Sequence, residues 1–177
     1  MVSLYELLSK ILERVPGDVV EVGVGNGQSA LGLAAVITGD RAFYAYDTFN
    51  GFPMETLIDG EDKALAQDIG HPANTDVEQT LEDCGIVCIK GVFPNTFWVK
   101  KPSGVCFVHL DGDTYIATKA GLDLFWPIAS KGALFCIHDY DNLNLSGVRR
   151  AVDEWRKEQQ DGFEEFPTDT HWVIIKR

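Results

Sequence analysis

Asp111, Asp113, His138, Asp139 and Asp141 close two apolar runs, and residues of these types hold cations or move protons. The first run ends in Asp111-Gly112-Asp113. A helical stretch follows, and a second apolar run ends in His138-Asp139-Tyr140-Asp141. Two strand-like runs with a helix between them describe a βαβ unit. The carboxyl ends of its strands open onto one crevice, where α/β sheets bind ligands. Carboxylates suit hard cations, while imidazole titrates near neutrality and also binds softer metals.

The rest of the chain supplies elements to place that crevice. Leu4, Leu7, Leu8, Ile11, Leu12 and Val15 recur at three and four residues, so an amphipathic helix opens the chain and Pro16-Gly17 stops it. Asp18–Val22 reads as a buried strand, 23–27 as a turn and Gln28–Ile37 as a small-residue helix. Ala42–Tyr46 is a strand that closes on Asp47. Residues 48–75 have weak periodicity and many turn formers; a loop of that length has a function or carries short helices. It is expected to be a lid over a bound ligand, with a helix within 55–68. A helix over 76–84 with Thr75 as N-cap, a strand over 86–90, a helix over 146–160 and a closing hairpin around Asp169-Thr170-His171 complete the order. This alternation predicts one α/β domain spanning 1–177, with a mostly parallel sheet, helices on both faces and an antiparallel C-terminal strand.

A second candidate site precedes the first in the chain. Val20-Glu-Val-Gly-Val-Gly-Asn-Gly27 puts glycines between a strand and a helix, where the backbone can approach a ligand and the helix start can face an anion. As a dinucleotide fingerprint the turn lacks one glycine, because position 28 is Gln28. Asp47 ends the next strand about 20 residues on, where an acid accepts hydrogen bonds from ribose hydroxyls of NAD or S-adenosylmethionine (SAM). Its plainer reading is a loop cap, and that of Glu21 is a partly paired strand end.

Composition narrows the partners. A net charge of −12 without a basic stripe argues against nucleic acid and favours a small molecule or a cation. No stretch reads as a signal peptide or membrane span, so a cytoplasmic protein without membrane contact is expected. Cys84, Cys88, Cys106 and Cys136 lack paired metal spacing and read as reduced thiols. Exposed aromatics are compatible with a homodimer.

Asp18–Gly27 resembles motif I of class I SAM-dependent methyltransferases. Tyr46-Asp-Thr-Phe-Asn-Gly-Phe-Pro53, Lys90–Thr96, His109-Leu-Asp-Gly-Asp-Thr-Tyr115 and Gly147–Asp153 add to it. Together, in order, these blocks resemble the macrocin O-methyltransferase (TylF-type) family. The resemblance implies the Rossmann-like seven-stranded sheet of class I methyltransferases. It also implies a SAM-dependent O-methyltransferase acting on a hydroxyl of a sugar or glycosylated natural product. By the same resemblance Glu21, Gly23 and Gly25 form the cofactor turn, and Asp47 takes the ribose. Thr48 and Phe49 lie along the nucleoside, Gly91 and Phe93 flank the adenine, and Asp111 borders the cofactor. Phe93 reads equally as a core aromatic.

The resemblance further implies a magnesium site in which Asp111 and Asp139 are ligands and Asp113 is the general base. His138 departs from it, standing where the family has an acid. Three arrangements follow: Asp111 and Asp139, with or without Asp141, hold the metal with waters; a softer divalent metal binds with His138; or His138 is itself the base in a metal-free site. His71, Trp98 and Trp126 are weaker candidates for acceptor contacts, since such residues are more often solvated or packed. An NAD-dependent oxidoreductase and a non-catalytic binding protein of this fold are the competing functions.

Overall fold

Strands and helices alternate as α1 (Leu4–Leu12), β1 (Asp18–Val22), α2 (Gln28–Ala34), β2 (Phe43–Asp47), α3 (Thr75–Asp83) and β3 (Val87–Lys90). There follow β4 (Val105–Leu110), α4 (Tyr115–Phe125), β5 (Ala129–His138), α5 (Ser146–Glu158), β6 (Phe163–Pro167) and β7 (His171–Lys176). The computed structural model describes residues 2–52, 75–160 and 162–177. The expected helix within 55–68, His71 and nearly all of the expected lid lie outside the described residues.

The seven strands form one sheet in the order β3-β2-β1-β4-β5-β7-β6. The first five are parallel, and β7 runs antiparallel to both β5 and β6. Strand order reverses between β1 and β4, which is where a doubly wound sheet opens a crevice at its carboxyl edge. Every residue of β4 is buried, as expected of a central parallel strand covered on both faces.

Local chemistry explains most element boundaries. Ser3 caps α1 through a capping box: its hydroxyl accepts from the Glu6 amide, and the Glu6 carboxylate accepts from the Ser3 amide. Leu4, Leu7, Leu8 and Leu12 form the buried stripe of that helix. The helix expected to reach Ile37 stops at Ala34, because the chain tightens. The Val36 amide bonds Leu33 O, and the Ile37 amide bonds Ala34 O, each three residues back. His171, expected in the hairpin turn, begins β7 instead and pairs with His138.

Two aromatic clusters pack the core. Phe93 stacks on Phe125 at 5.9 Å, with Tyr46 and Phe97 edge-on to the pair. Trp126 meets Trp155 edge-on at 4.8 Å, with Phe135 against it. Trp126, a weak acceptor candidate from sequence, is therefore core, whereas Trp98 is exposed with Lys101 over its ring. All four cysteines are free; Cys106 and Cys136 are buried, but Cys84 is exposed.

Candidate active site

A cleft of about 470 Å³ opens at the carboxyl edge of the sheet, beyond the ends of β1 and β4. Its walls are the segments that follow β1, β2, β3 and β4, so one turn from each of four strands contributes. Gly23, Gly25, Asp47, Thr48, Phe49, Gly91, Phe93, Asp111 and Asp113 all line it, as the sequence reading expects. Phe93 borders the cleft, and its ring is also buried in the aromatic core.

The glycine turn has two distinct requirements. Gly23 has φ +84°, and a Cβ there would lie 2.2 Å from Asp111 O, so this glycine lets β1 and β4 close on each other. Gly25 has φ +55° with nothing within 4 Å of its missing Cβ, which leaves the turn open toward the cleft. Asp47 fastens the turn. One carboxylate oxygen accepts from the Val24 and Gly25 amides at 2.6 and 3.1 Å; the other accepts from the Phe49 amide at 2.7 Å.

Glu21 requires a correction. The sequence reading places it in the cofactor turn, but its side chain is fully buried and does not line the cleft. Side chains alternate along a strand, and Glu21 stands beside His109 in the register of β1 and β4. Its Oε1 lies 2.8 Å from His109 Nδ1, while Oε2 has no hydrogen-bond partner among the described residues. His109 Nε2 is in turn 3.0 Å from His171 Nε2, and His171 Nδ1 is 2.8 Å from the Thr170 hydroxyl. A buried polar chain therefore runs beneath the site from Glu21 to the surface.

Asp111 and Asp113, which line the cleft, meet His138 and Asp139 in one cluster. One ligand atom from each lies within 4.8 Å of the others. His138 Nδ1 sits between Asp111 Oδ1 at 2.9 Å and Asp139 Oδ2 at 2.5 Å. Asn142 Nδ2 donates to Asp139 Oδ1 at 3.0 Å and fixes that carboxylate. Asp113 and Asp139 both have left-handed backbone, at φ +56° and +58°. For non-glycine residues this costs energy, and such residues gather at functional sites.

The local electrostatics separate these groups. Hydrogen bonds donated to the Asp111 and Asp139 carboxylates push the His138 imidazole up to about 10, against the opposing effect of burial. Burial and the charges of Asp111 and Asp139 raise Asp113 to about 7. Burial also acts to raise Asp139, but hydrogen bonds from His138 and Asn142 hold it below the usual carboxylate range. Burial beside His109 and His138 lowers His171 to about 3. A protonated His138 leaves no acceptor on its ring, so the arrangement with His138 as base fits poorly. Asp113 is the better acceptor for a proton.

In the first of the metal arrangements Asp141 drops out, which leaves Asp111 and Asp139 with waters. Asp141 points outward into an ion pair with Arg149 and is not in the cluster. The donor set that remains is three carboxylates and one imidazole nitrogen. It fits a divalent ion, although it is not the all-oxygen set that magnesium prefers.

Residues 1–169 match the profile of Macrocin-O-methyltransferase (TylF). The chain belongs to that family. Among curated relatives, the 8-demethyl-8-(2,3-dimethoxy-alpha-L-rhamnosyl)-tetracenomycin-C 4'-O-methyltransferase of Streptomyces olivaceus is 28% identical over 166 residues, covering 86% of this chain and 62% of that protein. The mycinamicin III 3''-O-methyltransferase of Micromonospora griseorubida is also 28% identical over 166 residues, covering 84% of this chain and 63% of its own. The chain thus spans about three fifths of the length of these TylF-family relatives. The solved structure of the O-methyltransferase NovP superposes with a TM-score of 0.82 at 24% identity, over 98% of this chain and 78% of that one. This likeness shows the class I methyltransferase fold that the sequence motifs imply.

Sequence reasoning missed three contributors. Tyr5, from α1, lines the cleft beside Gln28 and Ser29. Its ring occupies the space where Gly32 of α2 lacks a Cβ, 2.4 Å from the ideal Cβ position. Thr114 caps α4, accepting from the Ala117 amide at 3.2 Å, and both residues line the cleft. His171 reaches the site through the register of β7 against β5.

Proposed function

We propose that this chain is a SAM-dependent O-methyltransferase that methylates a hydroxyl of a sugar or glycosylated natural product. The observation that carries this reading is the continuity of the cleft. The glycine turn, the strand-end acid Asp47 and the first two members of the cluster, Asp111 and Asp113, line one cleft, and His138 and Asp139 stand against those two carboxylates. Its relatives are named for methylating a rhamnosyl tetracenomycin and mycinamicin III, which supports an oxygen on a glycoside as the acceptor.

In this reading Gly25 opens the turn to the cofactor's methionine portion. Asp47 receives a ribose hydroxyl on Oδ1, the oxygen that takes only one of the three backbone amides, and Gly91 and Phe93 border the adenine. Thr48 and Phe49 lie along the nucleoside. The acceptor hydroxyl lies at Asp113. As the oxygen attacks the methyl carbon, its proton passes to the Asp113 carboxylate. The carbon–sulfur bond breaks with its electron pair on sulfur, and S-adenosylhomocysteine leaves. Asp111, His138 and Asp139 would hold a divalent cation, which supplies positive charge beside the developing alkoxide. SAM already carries its leaving group, so positioning in line supplies much of the remaining rate.

Thermal-shift titration with S-adenosylhomocysteine and with NAD tests the cofactor. Stabilisation by the first alone is expected, since a ligand that binds only the folded chain raises its melting temperature. Stabilisation by NAD alone would favour an oxidoreductase instead.

A further inference from the structure

The ionisable cluster at the end of β4 and β5 differs from a plain carboxylate site in one atom. His138 Nδ1, rather than an oxygen, stands between Asp111 Oδ1 and Asp139 Oδ2, at 2.9 and 2.5 Å. The register of the sheet holds it there. β5 ends at His138, and β7 places the His171 ring against it, with centroids 5.1 Å apart in a T-shaped contact. A nitrogen is therefore fixed inside the carboxylate group, and it becomes a metal donor when an ion displaces its proton.

An all-oxygen shell would need waters or another carboxylate in place of that nitrogen. Asp141 is the neighbouring acid, and it is largely exposed and paired with Arg149. Among the described residues, the groups close enough to share an ion are Asp111, Asp113, His138 and Asp139. Magnesium is small, demands near-ideal octahedral oxygen coordination and gives up its waters reluctantly. Affinity for first-row dications rises from manganese to copper and falls back at zinc, and imidazole suits the later members.

We propose that this cluster selects a divalent first-row transition ion over magnesium, and that His138 Nδ1 is the ligand that sets the preference. The inference rests on the reading of the cleft as a methyltransferase site with a cation beside the acceptor. It goes beyond that reading by naming the ion class and the atom responsible. Asp111 and Asp139 supply charge to bind any dication, whereas the imidazole nitrogen discriminates among them. The Asn142 hydrogen bond to Asp139 acts in the outer shell to hold one carboxylate in place.

Chelator-stripped protein titrated with cobalt(II) and with magnesium gives the two affinities, and proton NMR of the cobalt form reports the ligand. The wild-type chain is expected to show an exchangeable, hyperfine-shifted imidazole N–H signal from the Nε2 of a coordinated His138. His138→Asp should abolish that signal and narrow the cobalt-to-magnesium affinity ratio by about tenfold or more, as an imidazole donor becomes an oxygen donor. An unchanged ratio in His138→Asp, no coordinated imidazole in wild type, or no ion binding would each overturn the proposal. S-adenosylhomocysteine binding to the same samples separates the two levels. Its retention without ion binding removes this inference alone, whereas its absence in wild type removes the methyltransferase reading beneath it.

Discussion

The Asp47 carboxylate accepts a hydrogen bond of 2.6 Å from the backbone amide of Val24, tying the end of β2 to the turn that follows β1. The same oxygen takes the Gly25 amide, so one acid organises the turn and borders the cleft at once. Asp47→Ala should weaken S-adenosylhomocysteine binding by about 1.5–3 kcal/mol, the worth of a hydrogen bond to a charged group. Calorimetric titration measures it. An unchanged dissociation constant would remove Asp47 from the ribose site.

Gly23 tests how closely the two central strands must approach. A Cβ at φ +84° would press on the Asp111 carbonyl group, which is backbone and cannot swing away. Gly23→Ala should cost at least ~2 kcal/mol of stability through that clash and the left-handed backbone. Gly25→Ala meets open space and should cost less. Urea unfolding of both variants makes the comparison, and equal losses would contradict it.

Tyr5 and Gly32 should behave as a coupled pair. Glycine within a helix ordinarily costs about 1 kcal/mol relative to alanine, so Gly32→Ala on its own would stabilise an isolated α2. Here the new methyl would strike the Tyr5 ring and drive it from its place at the cleft. The expectation is weaker cofactor binding in Gly32→Ala, and a gain in stability from the same change once Tyr5→Ala is present. A double-mutant cycle in which the two changes simply add would disprove the coupling.

The histidines give the metal-free protein a defined response to acid. Burial beside His109 and His138 lowers His171 to about 3 from its ordinary 6.5, so the folded chain prefers its neutral ring. That contribution to stability is fully present above about pH 6.5 and is lost as pH falls toward 3. His138, raised to about 10 by Asp111 and Asp139, acts in the opposite sense: its contribution is full below about 6.5 and is lost as pH rises through 10. His171→Gln should therefore flatten the fall in unfolding free energy between about pH 6.5 and 4. Urea unfolding at several pH values checks it, and an identical slope in the variant would contradict the assignment.

Much of this site was readable from residue order alone. The acids that close β4 and β5 announce themselves by ending apolar runs, and the turn after β1 by its glycines. Parity along a strand could have gone further. Glu21 shares a face with Gly23, and His109 with Asp111, so the Glu21–His109 pair follows once β1 is known to lie beside β4. The part that stayed hidden depends on long-range register. His171 looks like a turn residue until β7 is paired against β5, which sets it beside His138. Tyr5 was hidden for a different reason. Its spacing puts it off the buried stripe of α1, and only the missing side chain of Gly32 shows where its ring packs.

Transfer of a labelled methyl group tests the central claim most directly. Methyl-labelled SAM is incubated with the protein and a panel of hydroxylated glycosides, using wild type and Asp113→Asn side by side, and products are read by mass spectrometry. The account predicts label on a glycoside oxygen with wild type and a loss of at least ~100-fold with Asp113→Asn, in the range of a removed general base. It also predicts that the variant still binds S-adenosylhomocysteine. Equal label transfer by the two proteins would contradict the role given to Asp113, and no label on any oxygen from wild type that binds the cofactor would contradict the activity itself.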